Sequence, residues 1–147
     1  MKVLAISSGG GHWIELLRLL PALEQHQVSF ACVRDDYQAD IGSAPFFRVQ
    51  DATQWNPFGL LLLAAQVLLL IARLRPDVVI STGAAPGYFA LRIAKLFGGK
   101  TIWVDSLANV EQLSRSGIMV KRYADLYLTQ WPNLAIDGGP EYAGKVL

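Results

Sequence analysis

Two short apolar runs in this chain end directly in a glycine turn, and each turn leads into a stretch with helical spacing. Residues 3–6 run into Ser8-Gly9-Gly10-Gly11-His12, and residues 77–81 run into Thr82-Gly83-Ala84-Ala85-Pro86-Gly87. Strand, glycine turn and helix in that order form the repeating unit of an open α/β sheet, in which the chain turns tightly at the strand's carboxyl end to lay a helix on the sheet face. The remaining sequence keeps the alternation. Residues 28–33, 46–49, 100–104 and 125–129 read as further strands, short and apolar as in a sheet covered on both faces. The first helix begins at Trp13, sets Leu16, Leu20 and Leu23 on one side, and is shortened or kinked by Pro21. Pro86 suits the first turn of a helix reaching about Phe97, which Gly98-Gly99 ends. Residues 34–45 and 105–117 read as polar loops, residues 118–124 as a short helix, and residues 136–147 as a weakly structured tail. The expected fold is α/β and Rossmann-like, a mostly parallel doubly wound sheet in a single domain over residues 1–147.

One segment fits that scheme poorly. Residues 58–72 carry no charge, and residues 58–74 are apolar nearly all round. A helix lying on a sheet needs only one apolar face. Fifteen helical residues extend about 22 Å at ~1.5 Å per residue, short of a bilayer core of about 30 Å. The flanking strands also hold both ends on one side of any membrane. The surplus leucines therefore need a second apolar surface: burial within the domain, a protein partner, or in-plane contact with a membrane. Trp55 before the segment, and Arg73 and Arg75 after it, are residue types favoured at a lipid interface. The candidate contact residues are Trp55, Phe58, Leu61, Leu62, Leu68, Leu69, Arg73 and Arg75.

Composition narrows the function classes. Of 147 residues, 52% are hydrophobic and 17% charged, against about 25% charged in an average domain. The chain is thus oilier than its size requires, consistent with an uncovered apolar surface. Net charge is +1, and no basic stripe points to nucleic acid. A lone cysteine, Cys32, falls in the second strand and reads as a small buried hydrophobe. No CxxC motif or Cys/His cluster indicates a metal. The first residues look like a strand that begins at once, without the apolar core and cleavage site of a signal peptide.

The two glycine turns are the candidate binding elements. Glycines permit close backbone approach, and a helix start offers free N–H groups to an anion. Ser8, Gly9, Gly10, Gly11, Thr82, Gly83 and Gly87 are the candidate phosphate contacts. The spacing is not the dinucleotide fingerprint, so no nicotinamide or flavin cofactor is expected. His12, at a helix start, is a candidate general base, or else a residue that orders the turn. The long polar loop after the fifth strand carries Asp105, Asn109 and Glu111 at the strand ends where open α/β sheets bind ligands. Asp105 and Glu111 are candidate acids or acceptors for sugar hydroxyls.

Taken together, Ser8-Gly9-Gly10-Gly11-His12, Arg75-Pro76-Asp77 leading to Ser81-Thr82-Gly83-Ala84-Ala85-Pro86-Gly87, Asp105-Ser106-Leu107-Ala108-Asn109-Val110-Glu111, Leu113-Ser114-Arg115-Ser116-Gly117 and Gln130-Trp131-Pro132-Asn133-Leu134 resemble a known family. It comprises small bacterial polysaccharide-biosynthesis proteins that form the N-terminal half of a split GT-B glycosyltransferase. Their eukaryotic relative is the membrane-anchor subunit of the N-acetylglucosaminyltransferase of dolichol-linked oligosaccharide assembly. The resemblance implies a GT-B N-terminal half that receives the acceptor, a sugar on a polyprenyl diphosphate, at the cytoplasmic face of the plasma membrane during exopolysaccharide or capsule synthesis. A separate polypeptide, similar to a GT-B C-terminal half, would bind the nucleotide sugar. On this reading His12 deprotonates the acceptor hydroxyl or orders the turn around the acceptor diphosphate, and Asn109 and Glu111 face the cleft shared with the partner, Glu111 as a second catalytic candidate. The glycine turn ending in His12 is similar to that of the one-chain enzyme of peptidoglycan precursor synthesis, although the longer glycine spacing of that enzyme is absent.

Two other readings of the residues stay open. A stand-alone flavodoxin-like enzyme would bind a nucleotide or flavin by itself. A non-catalytic membrane scaffold would keep its function when the glycine turns are altered and lose it when the leucines of residues 58–74 become charged.

Overall fold

A computed structural model describes residues 1–146. Seven strands form one sheet: β1 (Lys2–Ser7), β2 (Gln27–Cys32), β3 (Phe46–Arg48), β4 (Val78–Gly83), β5 (Lys100–Val104), β6 (Leu126–Thr129) and β7 (Glu141–Tyr142). Their spatial order is β3-β2-β1-β4-β5-β6-β7, and every neighbouring pair is parallel. This is the doubly wound order, in which connections leave β1 and β4 toward opposite edges and open a crevice between their carboxyl ends. The helices are α1 (Gly11–Arg18), α2 (Leu20–Leu23), α3 (Pro57–Leu74), α4 (Ala84–Leu96) and α5 (Arg115–Val120).

The core forms where the two faces of the central strands meet these helices. Leu4 and Ile6 of β1, Val79 of β4 and Trp103 of β5 are buried with Trp13 and Leu16 of α1, Leu63, Val67 and Ile71 of α3, and Leu91 of α4. Each such side chain contributes about 1.5–3 kcal/mol on burial. Cys32 lies buried at the end of β2, where desolvation raises the thiol above its ordinary range.

Several elements depart from the sequence expectation. The first helix splits at Pro21 into α1 and α2. The polar stretch after β2 forms a 3₁₀ helix, Asp35–Ile41, pinned to α1 by Trp13. The Trp13 indole donates to Asp40 Oδ2 at 2.9 Å and stacks on Tyr37 with centroids 5.1 Å apart. α5 begins at Arg115 rather than at residue 118, because the Ser114 hydroxyl caps it by accepting from the Gly117 N–H at 2.9 Å. A 3₁₀ turn, Pro132–Leu134, follows β6, and the tail adds the edge strand β7. Residue 147 lies outside the described residues.

α3 resolves the puzzle of the apolar segment on one side only. Gly59, Leu63, Val67, Leu70 and Ile71 are buried. Trp55, Phe58, Leu61, Leu62, Leu68 and Leu69 are exposed, Phe58 at 84% and both Leu61 and Leu69 at 70%. Within the helix Phe58, Leu61, Leu62, the exposed Ala65, Leu68 and Leu69 recur at spacings of three and four and so form one stripe. Gln66 is the polar exception, and its Oε1 accepts from the Gln50 N–H at 2.6 Å. At about 27 Å, from ~1.5 Å per residue, the helix is long and apolar enough to cross a thin bilayer. It nevertheless joins β3 to β4 of one sheet and buries a face against α4, so it lies along the domain rather than leaving it.

Candidate functional site

β1 and β4 are neighbours in the sheet, so their glycine turns come together at the crevice. The two turns are joined by a reciprocal pair. The His12 Nδ1–H donates to the Thr82 carbonyl at 3.0 Å, and the Thr82 hydroxyl donates to the His12 carbonyl at 2.5 Å. A carbonyl can only accept, so Nδ1 carries a proton and Nε2 is the ring nitrogen left without a protein partner. Gly83 makes this contact possible. Its φ of +148° suits glycine, and a Cβ there would overlap the imidazole. Ala84 follows at φ +65°, a left-handed conformation strained for a residue with a side chain. Such strain concentrates at functional sites.

His12 lines a cleft of about 440 Å³ together with Gly11, Ala84, Ser106, Asn109 and Arg115. Below it lies a buried polar hub absent from the sequence reading. Glu15, one turn after His12, is 3% exposed. It accepts from the Ser106 hydroxyl at 2.9 Å, the Leu107 N–H at 2.7 Å and the Gln130 amide at 2.7 Å. Gln130 also donates to the Asp105 carbonyl at 2.9 Å. Glu15 thus ties α1 to the loops after β5 and β6 and fixes the helix that presents His12. A glutamate beside Leu16, on the buried side of a short amphipathic helix, was the available signal for it.

The structure sorts the other candidates. Gly11 is exposed and lines the cleft, whereas the half-buried Ser8 and Gly9 are not among its lining residues and Gly9 lies close to Tyr37 and Arg34. Gly10 does not offer its amide to a ligand: the Gly10 N–H donates to the Tyr37 hydroxyl at 2.9 Å. Gly87 is buried one turn into α4, where a Cβ would overlap Ser81 Oγ, so its bareness serves helix-on-strand packing. Thr82 is fully buried and holds His12 rather than meeting solvent. Asp105 is 1% exposed and accepts from the Trp103 indole, the Ser114 N–H and hydroxyl, and the Asn109 amide. It organises the loop and is not an acid facing the cleft. Asn109 lines the cleft and is oriented by Asp105 at 3.3 Å. Glu111 is exposed on the same loop, outside the cleft's lining residues. Arg75 folds back, its Nε donating to the Ala72 carbonyl and its guanidinium lying 5.0 Å from the Phe97 ring centroid, whereas Arg73 is exposed on the last turn of α3.

Burial, and then the Asp105 charge, push the Tyr127 phenol above its ordinary range. A separate cleft of about 440 Å³ at the amino ends of β6 and β7 is lined by Lys121, Arg122 and Glu141. It lies on the sheet edge opposite the carboxyl-end crevice. Among the described residues, no group of three His, Cys, Asp or Glu side chains is placed to hold a metal ion.

The fold matches solved structures at low sequence identity. MurG of Acinetobacter baumannii superposes with a TM-score of 0.79 at 16% identity, covering 97% of this chain and 45% of that one. A UDP-N-acetylglucosamine 2-epimerase of Rickettsia bellii gives 0.73 at 14%, covering 99% and 45%. The chain thus spans less than half the length of these structures, and the likeness establishes a Rossmann-like half of the GT-B kind. The UDP-N-acetylglucosamine transferase subunit ALG14 of Yarrowia lipolytica is 27% identical, over 91% of this chain and 75% of its own length. The human subunit of the same name is 26% identical, over 91% and 77%. The family model described as "Oligosaccharide biosynthesis protein Alg14 like" matches residues 47–145, more than half of the chain. With that match over the α3 segment, the β4 turn and the β5 loop, the chain belongs to the Alg14-like oligosaccharide biosynthesis proteins.

Proposed function

We propose that this chain is the acceptor-binding, membrane-associating subunit of a two-component glycosyltransferase. A separate GT-B C-terminal half binds the nucleotide sugar, and the acceptor is a saccharide on a polyprenyl diphosphate at the cytoplasmic face of the plasma membrane, as in exopolysaccharide or capsule assembly. The observation that carries this reading is the His12–Thr82 pair at the crevice, which turns the Nδ1 edge inward and leaves Nε2 without a protein partner on a ring that lines a cleft at the strand ends. The acceptor hydroxyl attacks the anomeric carbon, its proton passes to His12 Nε2, and the bond to the nucleoside diphosphate breaks. Asn109, among the cleft's lining residues, orients the acceptor sugar, and the Gly11 amide at the start of α1 meets phosphate, with Gly9 in the same turn. Glu111, on the exposed loop, is assigned to the partner-facing rim. The yeast and human relatives, each a subunit of a UDP-N-acetylglucosamine transferase by name, support both the reaction class and the need for a second chain.

The exposed stripe of α3, with Trp55 at one end and Arg73 at the other, supports membrane attachment in the plane of the interface. The test is reconstitution. The chain alone is expected to transfer nothing, and addition of the nucleotide-sugar half restores transfer to a lipid-linked saccharide. Turnover by the purified chain alone refutes the two-component assignment.

Recruitment of the partner without catalysis is a second reading, and it draws on Gly10, whose amide is taken by Tyr37, and on Gly87, whose bareness serves packing. It requires the His12→Ala complex to keep full turnover.

A further inference from the structure

The His12 cleft does not end at a wall. Ala84, Arg115 and Ser116 line it and also line a second groove of about 350 Å³. The two surfaces differ in chemistry. The first is edged by His12, Ser106 and Asn109. The second is walled by Leu60 of α3, Ala85, Tyr88 and Phe89 of α4, and Met119 of α5. Arg115 stands where they join. Among the described residues it forms no salt bridge; its guanidinium donates to the neutral Gln54 side chain, which also lines the groove. Leu60 belongs to α3, the helix whose outer side carries the exposed apolar stripe.

We infer that this groove receives the first isoprene units of the polyprenyl diphosphate, with Arg115 at the diphosphate. The inference rests on the proposed function. Saccharide, diphosphate and hydrocarbon chain follow one another covalently in such an acceptor. Polar cleft, unpaired cation and apolar groove follow one another on the protein in the same order, and α3 supplies part of the groove's wall. A soluble nucleotide has no group for the apolar groove. Each groove is of the size of small-ligand sites, about 300–1,000 Å³. The arrangement lets the lipid pass from the membrane-facing helix to the cleft without exposing its proximal carbons to water.

Binding to the full chain in vesicle-free buffer tests this, with farnesyl diphosphate and inorganic diphosphate as probes. Farnesyl diphosphate is expected to bind at least about tenfold more tightly, since apolar area is buried as well as charge. Ala85→Phe fills the groove and Met119→Gln makes its half-exposed wall polar; each is expected to erase most of that preference. Arg115→Gln is expected to weaken both probes by about tenfold. Leu96→Gln, at an apolar residue 80% exposed elsewhere on α4, leaves both unchanged. Equal binding of the two probes, or a preference that survives both groove variants, overturns the inference. No sugar donor or partner enters this measurement, so it separates from the proposed function. Transfer by the reconstituted complex with no prenyl preference refutes the groove alone. A groove-dependent preference without transfer upholds the groove and refutes the reaction.

Discussion

The crevice between β1 and β4 and the outer face of α3 are opposite solutions to exposure. At the crevice nearly every polar group is already committed. Thr82 and His12 bond each other, Tyr37 takes the Gly10 amide, and Glu15 and Asp105 gather seven donors between them. What remains free there, His12 Nε2 and the rim amides, is sharply placed. On α3 nothing is committed: the stripe is held in position by the buried face behind it and offers only apolar area. The first kind of surface loses function when an atom moves, and the second tolerates rearrangement but loses function when a charge is added.

That contrast can be broken in four ways. The largest effect is expected from His12→Ala in the reconstituted complex, where loss of a general base lowers kcat by about 10²–10⁴-fold; unchanged far-UV circular dichroism excludes unfolding as the cause. Next is Gly83→Ala. It places a Cβ against the His12 ring at a backbone conformation reserved for glycine, and we expect about 2–3 kcal/mol of destabilisation in denaturant melts together with reduced turnover. On the other surface, Leu61→Glu with Leu69→Glu should abolish co-sedimentation with anionic vesicles while each changes stability by no more than about 0.5 kcal/mol. If the double variant instead melts cooperatively at much lower temperature, the stripe is a core face covered in solution.

The smallest effect concerns pH. Lys95 beside Asp125, at 2.8 Å, holds that carboxyl below its usual range, with desolvation opposing and Thr101 adding hydrogen bonds. A depressed carboxylate contributes stability above its unfolded pKa and loses it as pH falls through the folded value. Both side chains are more than a third exposed, so screening reduces the contribution to under about 1 kcal/mol. Asp125→Asn should flatten the acid limb of the stability curve without moving its neutral plateau by more than that.

Most strands were legible because each is a short apolar run bounded by turn residues, and that signal is local. Two of the elements that were not legible show why. β7 has only Glu141 and Tyr142, both exposed, and exists because β6 offers an edge. The Asp35–Ile41 helix looks like a polar loop and gains its shape from Trp13, which lies far away in sequence. The same distinction governs the site. Gly10, Gly83 and Gly87 look alike along the chain, and they serve as a turn donor to Tyr37, a seat for His12 and a packing gap over Ser81. Asp105 passed as a candidate acid because its ring of donors comes from residues 103, 109 and 114, which only the folded loop brings together.

By itself the amino-acid order determined the alternation of strands and helices, the doubly wound class, the two glycine turns and an apolar segment too greasy for one face. These follow from local periodicity and from the backbone freedom of glycine, which neighbouring residues suffice to express. Tertiary structure alone decided which glycine amides stay free, that Glu15 braces the helix carrying His12, and that a polar cleft opens through Arg115 into an apolar groove. Hydrogen-bond partners and shared cavity walls are set by strands and loops that meet only when the sheet is assembled.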